Sequence, residues 1–451
     1  MSIKNLCWLL FFSLLVCNSF LQKNGNTNKE TAYVMRKSSL DTFINFEDFP
    51  KSEEDKKNLR ITDNYTFEDT LYVPYGLELF FDGGSLSGPI VFSSNYLSGK
   101  VNLKGSTISG RISNKVFHSS WICYADGKGD DAPYINDALS VCDSFYFDEG
   151  LYLLQRTYKR SFANLKNAIE SHILINRSNV KISSNTNATI LSSVPSCMFC
   201  IYSAPEQSLE SIKNIRIESL TIKTNNDGQN FYEFCHVFRI IGVDGLCLEN
   251  CYINDFWGDA ICLSSYNDTP NTGERSRNTN VVIKNNTIVG GNHFNNRNGI
   301  SVVSGRNIVI ENNEISNTSR FDMPGAIDIE PNNSVYIVKN VKILNNIIKN
   351  CQGTAGGICV HINARGGSVF DVLIKGNRIS SSTSGIAIVV KNRGRSGNFT
   401  ISKNLVALDT RPYQFVGEGE SNNWIIKDNT FLRPTTSKIG GKINVSNLKV
   451  D

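Results

Sequence analysis

The chain has 451 residues, of which 40% are hydrophobic and 20% are charged, and its formal net charge is +4. That composition supplies a packed core and argues against an intrinsically disordered protein. So small a net charge, without a dense run of lysine and arginine, argues against a nucleic-acid-binding protein.

The N-terminal segment is typical of an export signal. Lys4 precedes an apolar run over residues 6–16, which suits a signal-peptide core and is too short to span a bilayer. Small residues at Cys17 and Ser19 predict cleavage after Ser19, so residues 1–19 are assigned as the signal peptide. The protein is therefore expected to be secreted, periplasmic or at the cell surface. A lipoprotein with its lipid on Cys17 is the alternative, and that anchor would be its only membrane attachment.

Four segments follow the signal. Residues 20–60 are polar and rich in lysine and asparagine, which predicts a linker. Residues 61–120 contain short strand-like runs broken by glycine and are expected to form a β-rich N-terminal region. Repeats dominate the region over 121–435, and residues 436–451 are assigned as a C-terminal tail.

A short helix is predicted at the start of the repeat region. Asp131 suits the N-cap position and Pro133 suits the first turn. Ile135, Ala138 and Leu139 fall on one face of a helix with a period of 3.6 residues. The helix is expected to cap the N-terminal end of the repeats.

An asparagine recurs at a fixed place in the repeats. It always lies three residues after an aliphatic residue and two residues before an aliphatic residue or, in the last repeat, a phenylalanine. The positions are Asn286, Asn313, Asn346, Asn377, Asn404 and Asn429. Intervals of roughly 25 to 33 residues indicate a solenoid of stacked coils. We expect the amides to stack at a turn, to hydrogen-bond along the solenoid and to tolerate left-handed backbone there.

Each repeat also contains a second strand-like run, at 258–263, 299–302, 325–330, 356–361 and 384–389. Two parallel strands per coil, short connections and almost no helix predict an all-β fold, a right-handed parallel β-helix. A doubly wound sheet would place helices between its strands, and a β-propeller would need about four strands per similar period.

Twelve cysteines in an exported chain could indicate disulfides. Several of them occupy apolar strand positions, where a free cysteine packs as a small hydrophobe. Cys197 and Cys200 have metal-like spacing, but no second pair accompanies them. Packed thiols are therefore favoured over a zinc site, and no metal centre is predicted.

The stretch Gly127-Lys-Gly-Asp-Asp131, followed by Phe145-Tyr-Phe and Gly150-Leu-Tyr, resembles the N-terminal signature of the pectate-lyase-like β-helix superfamily. That superfamily includes polygalacturonases, polysaccharide lyases and tailspike depolymerases, and the likeness covers residues 61–435. Other stretches look like those of uncharacterised bacterial β-helix repeat proteins. The resemblance implies the fold and a polysaccharide partner. The catalytic motifs of polygalacturonases are not present as such, so no catalytic residue is carried over.

Strand alternation predicts which side chains of the second strand point outward. One outward column contains Cys262, Ser301, Asp328, Cys359 and Ala387. The next contains Ser264, Val303, Glu330, His361 and Val389. Polar chemistry is therefore expected to concentrate at Asp328, Glu330 and His361.

These three residues are the catalytic candidates. Asp328 and Glu330 are two residues apart on one face, about 6.6 Å between α-carbons, near the lower edge of the roughly 6.5–9.5 Å spacing of inverting glycosidases. His361 is expected one strand spacing from Glu330, about 4.8 Å. A neighbouring carboxylate raises a carboxyl pKa and a histidinium lowers it, so the two acids could divide acid and base roles.

The substrate-binding candidates are Arg297, Asn363, Lys391, Arg393, Tyr266 and Asp259. The basic side chains, with Arg395, could pair with glycan carboxylates or sulfates, although solvated loop charges are the alternative. Further aromatic platforms for sugar rings are expected at His293, Phe294 and Phe321, and residues 265–279 are expected to form a wall.

The sequence therefore predicts a protein that cleaves an acidic polysaccharide by hydrolysis in a groove along the β-helix. In the alternative β-elimination, His361 or Lys391 would abstract a proton while Arg297 neutralises a uronate carboxylate. A non-catalytic surface glycan-binding protein is the competing class. No cofactor is expected, with Ca²⁺ held by the acidic cluster as the alternative. Oligomeric state is left open.

Overall fold

The structure is a computed structural model. It describes residues 34–37, 43–45, 59–160, 169–202, 211–265, 277–291, 295–318, 320–380, 384–407, 411–432, 439–440 and 444–451. The predicted signal peptide, with Cys17, lies outside the described residues.

The N-terminal region contains strands β1 Val34–Lys37, β2 Phe43–Asn45, β3 Leu59–Ile61, β4 Asn64–Phe67, β5 Leu71–Tyr72, β6 Glu78–Phe81, β7 Ser85–Gly99 and β8 Ser106–Ile112. The start of the solenoid contains β9 Phe117–His118, a 3-10 turn Ser119–Trp121, β10 Asp126–Asp130, helix α1 Ala132–Val141, β11 Ser144–Phe147 and β12 Gly150–Leu154.

The coils continue with β13 Tyr158–Arg160, β14 Ile169–Ile175, β15 Val180–Ser184, β16 Ala188–Ser192, β17 Cys197–Tyr202, β18 Ile212–Glu218, β19 Thr221–Thr224, β20 Phe238–Ile241, β21 Val243–Glu249, β22 Tyr252–Asn254, β23 Ile261–Leu263, β24 Asn278–Lys284, β25 Thr287–Val289, β26 Ile300–Val302, β27 Gly305–Glu311, β28 Glu314–Ser316 and β29 Gly325–Ile329. The remaining strands are β30 Ile337–Leu344, β31 Ile347–Lys349, β32 Gly356–Ile362, β33 Gly367–Lys375, β34 Arg378–Ser380, β35 Ser384–Val390, β36 Gly394–Ser402, β37 Leu405–Ala407, β38 Arg411–Gly417, β39 Glu420–Lys427, β40 Thr430–Phe431, β41 Ile439–Gly440 and β42 Ser446–Val450.

These strands form three long sheets that run the length of the solenoid. The first sheet follows the order β10-β12-β16-β19-β22-β25-β28-β31-β34-β37-β40, the second runs from β9 and β11 to β42, and the third runs from β13 and β14 to β41. All neighbours in them pair in parallel except β13 and β14. The right-handed parallel β-helix is confirmed.

Each coil contributes three strands rather than the two expected. The phrase around each recurring asparagine is two strands, such as β24 and β25, separated by a corner. The sequence pattern was interpreted as one strand there, because apolar residues continue with similar spacing across the corner.

The register of the third sheet agrees with the expected columns. The inward residues pair in the order Ile261, Ile300, Ile327, Ile358 and Ile386. They belong to one continuous core of buried side chains. The outward partners on β29 and β32 are Asp328 and Cys359, which lie outside that core.

The asparagine column forms a continuous ladder inside the structure. Asn286 Nδ2 donates to Asn313 Oδ1 at 2.9 Å, and the same bond recurs to Asn429 at 2.9 to 3.0 Å. Cys251 continues the column through its backbone N–H, which donates to Asn286 Oδ1 at 2.9 Å. The left-handed residue is the one before each ladder position, for example Asn285 with φ 56°. The stacking expectation is confirmed, and the expected place of the left-handed backbone was wrong by one residue.

Strands also occupy parts of the segments expected as linker and tail. β1 pairs antiparallel with β2 and with β4, and β42 pairs with β39 as a further coil. In the N-terminal region Leu59 pairs with Leu79, 20 residues on, and Leu79 with Leu97, 18 residues on. These coils are shorter than those of the main solenoid.

Helix α1 packs as expected, with Ile135, Ala138 and Leu139 buried. Asp131 stands at the N-cap position without a side-chain capping bond. Its buried carboxylate instead accepts backbone N–H groups of Tyr124 at 3.0 Å and of Leu153 at 3.3 Å. Asp131 thus joins the helix start to β12 and to the segment that precedes β10.

The ten cysteines of the described ranges are free thiols, and eight, including Cys197 and Cys200, are almost fully buried in the structure. Their packing agrees with the expected role as small apolar side chains. Among the residues that the structure describes, no helix has the length and apolar character needed to cross a bilayer.

Candidate functional site

The candidate site lies on the outer side of the third sheet. One column of paired residues, here called the outer column, runs along it: Cys200, Arg239, Cys262, Ser301, Asp328, Cys359 and Ala387. All of them except Arg239 are almost fully buried. The outward direction was predicted, but the burial shows that this side of the sheet is covered rather than open to solvent.

Asp328 is the most unusual group in the outer column. Its side chain is 1% exposed, and neither carboxyl oxygen has a hydrogen-bond partner. Burial raises the pKa of Asp328 well above its ordinary value, the nearby Glu330 raises it further, and Arg297 offsets part of the shift. The raised pKa favours the protonated carboxyl, which can donate to Glu330. Because it does not reach solvent, Asp328 can act on a ligand only through that neighbour.

Glu330 and His361 form the accessible part of the site. Glu330 directly follows β29, and its backbone N–H donates to the Val302 carbonyl at 2.9 Å. His361 Nδ1 lies 3.5 Å from Glu330 Oε1, and the two side chains are 31% and 21% exposed. The sequence prediction that these residues of adjacent coils would meet is confirmed by this distance, whereas their catalytic role stays a prediction.

Arg297 lies among three carboxylates. Its Nη1 is 3.2 Å from Asp259 Oδ2, and its Nη2 is 3.7 Å from Glu233 Oε1 and 3.8 Å from Glu330 Oε2. The Asp259 carboxylate is the main reason that the pKa of Arg297 is raised. Its Nε also contacts Met323 Sδ at 3.2 Å. Arg297 is therefore a fixed, charged side chain at the edge of the site.

Asp259 and His236 anchor Arg297 from the interior. Asp259 has no exposed surface and accepts the Asn298 backbone N–H at 3.1 Å. The Asp259 backbone N–H donates to His236 Nδ1 at 3.1 Å, which requires the neutral imidazole with its proton on Nε2. Burial lowers the pKa of His236 to about 4, with Arg239 and Arg297 acting in the same direction against Asp259.

His236, Asp259 and Cys262 bring three metal-ligand atoms within 4.8 Å of one another. The surroundings disfavour a cation there, because Nδ1 of His236 already accepts an amide and Arg297 neutralises Asp259. Burial also raises the pKa of the Cys262 thiol, so it holds its proton. The same guanidinium lies beside Glu330, which disfavours Ca²⁺ at the acidic cluster. The geometry fits a hydrogen-bonded network.

The remaining predicted binding residues occupy different places. Asn363 is half-buried and donates through Nδ2 to the Asn332 carbonyl at 3.3 Å. Lys391 and Arg393 are exposed after β35. Arg395 belongs to β36 of the second sheet, so it does not share this face.

Aromatic side chains border the site on one side. Tyr266, His293 and Phe294, together with most of the 265–279 segment, lie outside the described residues. Phe321 is 68% exposed, and its role as a sugar platform stays a prediction. Arg320 lies over the Phe231 ring at 4.2 Å from its centroid, close to the loop that brings Met323 to Arg297.

Sequence reasoning missed His236, Glu233 and Arg239. They lie in the coil before Cys262, where no asparagine of the ladder marks the register. The available signal was the Phe238–Ile241 run, whose apolar residues alternate around Arg239 as they do around Cys262 on the paired strand.

No protein-family model and no curated protein matches the sequence. Solved structures that are similar include the surface adhesin PfbA of Streptococcus pneumoniae, at 16% identity over 72% of this chain and 89% of that chain, with a TM-score of 0.43. A family 28 exopolygalacturonase of Yersinia enterocolitica matches at 11% identity over 75% and 78%, with a TM-score of 0.46. An alginate lyase of a Paenibacillus species matches at 12% identity over 71% and 96%, with a TM-score of 0.42. The parallel β-helix that the resemblance implied is shown by the strand pairing of this chain itself.

Proposed function

We propose that this protein is an exported enzyme that cleaves an acidic polysaccharide on the outer side of the third sheet. Glu330 and His361 are the acid and base groups that contact the glycan. Asp328 is a buried positioning residue whose protonated carboxyl can donate a hydrogen bond to Glu330. Arg297 orients Glu330 and faces the acidic groups of the sugar.

The observation that carries the proposal is the buried Asp328 carboxyl beside the half-buried Glu330. An unpaired acid in a sheet costs stability, and perturbed carboxyls of this kind concentrate at functional sites. His361 and Arg297 each lie within 4 Å of Glu330, so the group that reaches solvent is surrounded by a proton carrier and a fixed cation. Similar solved structures named as an exopolygalacturonase and an alginate lyase are consistent with a glycan substrate.

A glycan-binding protein without catalysis is the second candidate. The burial of Asp328 favours it, because only one of the two expected carboxyl groups can reach a ligand. The similar PfbA structure is that of a surface adhesin.

Incubation with a panel of uronate-containing and neutral polysaccharides tests the proposal. New reducing ends without unsaturated-uronate absorbance would support hydrolysis, whereas both signals together would support β-elimination. Binding to the acidic glycans without either signal would replace the enzyme by the glycan-binding protein. Neutral glycans serve as the control for the requirement for acidic groups.

A further inference from the structure

Arg239 has no counter-ion among the residues that the structure describes. It belongs to the outer column and pairs in register with Cys200 and Cys262. Its side chain is half-buried, and Nε is buried without a hydrogen-bond partner. The ion pairs of the described residues connect Arg297 to three carboxylates, but none of them involves Arg239.

The described residues around Arg239 do not offset this charge. Cys262 is a buried thiol that holds its proton, and His236 is neutral because Asp259 donates to its Nδ1. A donor N–H that is buried without an acceptor is unfavourable, so the buried Nε of Arg239 favours an acceptor from a bound ligand. The chemistry required is a planar or tetrahedral anion that can accept from its N–H groups.

We propose that Arg239 is an anion subsite for the glycan, which binds a carboxylate or sulfate of a sugar distant from the one that is cleaved. Three strand steps separate Arg239 on β20 from Asp328 on β29, about 14 Å along the solenoid axis. A linear acidic polymer that follows this axis meets Glu330 and Arg239 with different sugar units. The inference rests on the proposed function for the glycan nature of the ligand.

The subsite is tested by binding, which does not depend on turnover. Titration calorimetry of the Glu330→Gln protein with a galacturonate hexamer and with a carboxylate-free sulfated galactan oligomer measures affinity. Adding Arg239→Gln is expected to weaken binding of the preferred oligomer by about 10- to 100-fold. Adding Arg378→Gln, which changes an exposed arginine of the first sheet, is expected to have no effect. The oligomer that responds identifies the anion as carboxylate or sulfate.

Equal affinity in the Arg239→Gln protein and its parent, or no binding of either oligomer to the parent, overturns the subsite. Cleavage by the wild type without Arg239-dependent binding would overturn the subsite alone. Arg239-dependent binding by a protein that cleaves none of the glycans would instead remove the proposed enzymatic function and keep the subsite.

A second measurement guards against a folding defect. Because Arg239→Gln removes a charge that no described residue pairs, its thermal midpoint without ligand is expected to equal or exceed that of the wild type. The responding oligomer should raise the midpoint of the wild type and leave that of Arg239→Gln nearly unchanged. An equal rise in both proteins would contradict the proposal.

Discussion

Arg297 Nη1 lies 3.2 Å from Oδ2 of Asp259, a carboxylate that has no contact with solvent. Removing one member of a buried ion pair leaves the other charge uncompensated, so Asp259→Asn is expected to lower the free energy of unfolding by about 3 to 5 kcal/mol. Urea unfolding measures the change. Asp322→Asn removes the exposed partner of Arg320 and should cost less than about 1 kcal/mol. Similar costs for the two variants would show that the buried pair is not anchoring Arg297.

Glu330→Gln is expected to lower the rate of glycan cleavage by at least about 100-fold, because glutamine cannot exchange a proton with substrate or with His361. The rate of appearance of reducing ends measures the effect. Glu314→Gln, an exposed residue of the first sheet that pairs with Lys349, is the matched control and should retain full activity. Full activity of Glu330→Gln would place the site elsewhere.

Asp328→Asn is expected to stabilise the protein at neutral pH and to have little effect near pH 4. The pKa of Asp328 is raised, so the folded state keeps a proton that the unfolded chain releases above its ordinary pKa. Stability supplied by the wild-type residue therefore falls as pH rises, by about 1.4 kcal/mol for each unit of pKa difference. Thermal midpoints of the wild type and of Asp328→Asn, measured from about pH 4 to neutral pH, show whether their difference in stability grows with pH. A constant difference would mean that Asp328 is ionised in the folded protein.

His236 should have the opposite pH dependence. Its pKa is lowered to about 4, so the folded state excludes a proton that the unfolded chain binds below its ordinary pKa of 6.5. The stability that this supplies is present at pH 7 and is lost as pH falls, by up to about 3 kcal/mol. His236→Asn keeps an acceptor for the Asp259 N–H and is expected to show a weaker loss. Denaturant unfolding at pH 7 and at about pH 4.5 compares the loss of unfolding free energy in the wild type and in His236→Asn. Equal losses in the two proteins would contradict this role of His236.

Interrupting the asparagine ladder is expected to lower the free energy of unfolding substantially. Asn346 accepts from the N–H and Nδ2 of Asn313 and donates to Asn377 and to the Ile310 carbonyl. Asn346→Ala leaves several of these buried groups without a hydrogen-bond partner. It should lower the free energy of unfolding by about 3 kcal/mol or more.

The control for Asn346 is Asn340, which has a single exposed amide bond to Asn307 and a left-handed φ of 54°. Asn340→Gly preserves that backbone and should cost about 1 kcal/mol or less. Urea unfolding compares the two variants, and an equal cost would mean that the ladder is no more important than a surface contact.

The meeting of Glu330 with His361 was predictable because parallel pairing makes the spacing of adjacent coils constant. The burial of Asp328 was not predictable, since strand alternation tells only which side of a sheet a residue faces. What covers that side depends on loops between strands, whose lengths differ from coil to coil and whose paths the repeat does not encode.

His236 and Arg239 illustrate a second limit. The coil that carries them precedes Cys251, where a cysteine replaces the ladder asparagine, so the repeat gives no register for it. Apolar alternation around Arg239 predicts a strand but not the partner on each side. Only the strand pairing shows that Arg239 and Asp328 share one column.

Ladder bonds keep a length of 2.9 to 3.0 Å while the steps between successive asparagines vary from 25 to 33 residues. The added residues must therefore be accommodated in loops that leave the stacked corners in place. Insertions and deletions in those loops can accumulate during evolution without moving neighbouring coils. Ligand preference could thus diverge among descendants of such a chain while its scaffold stays the same.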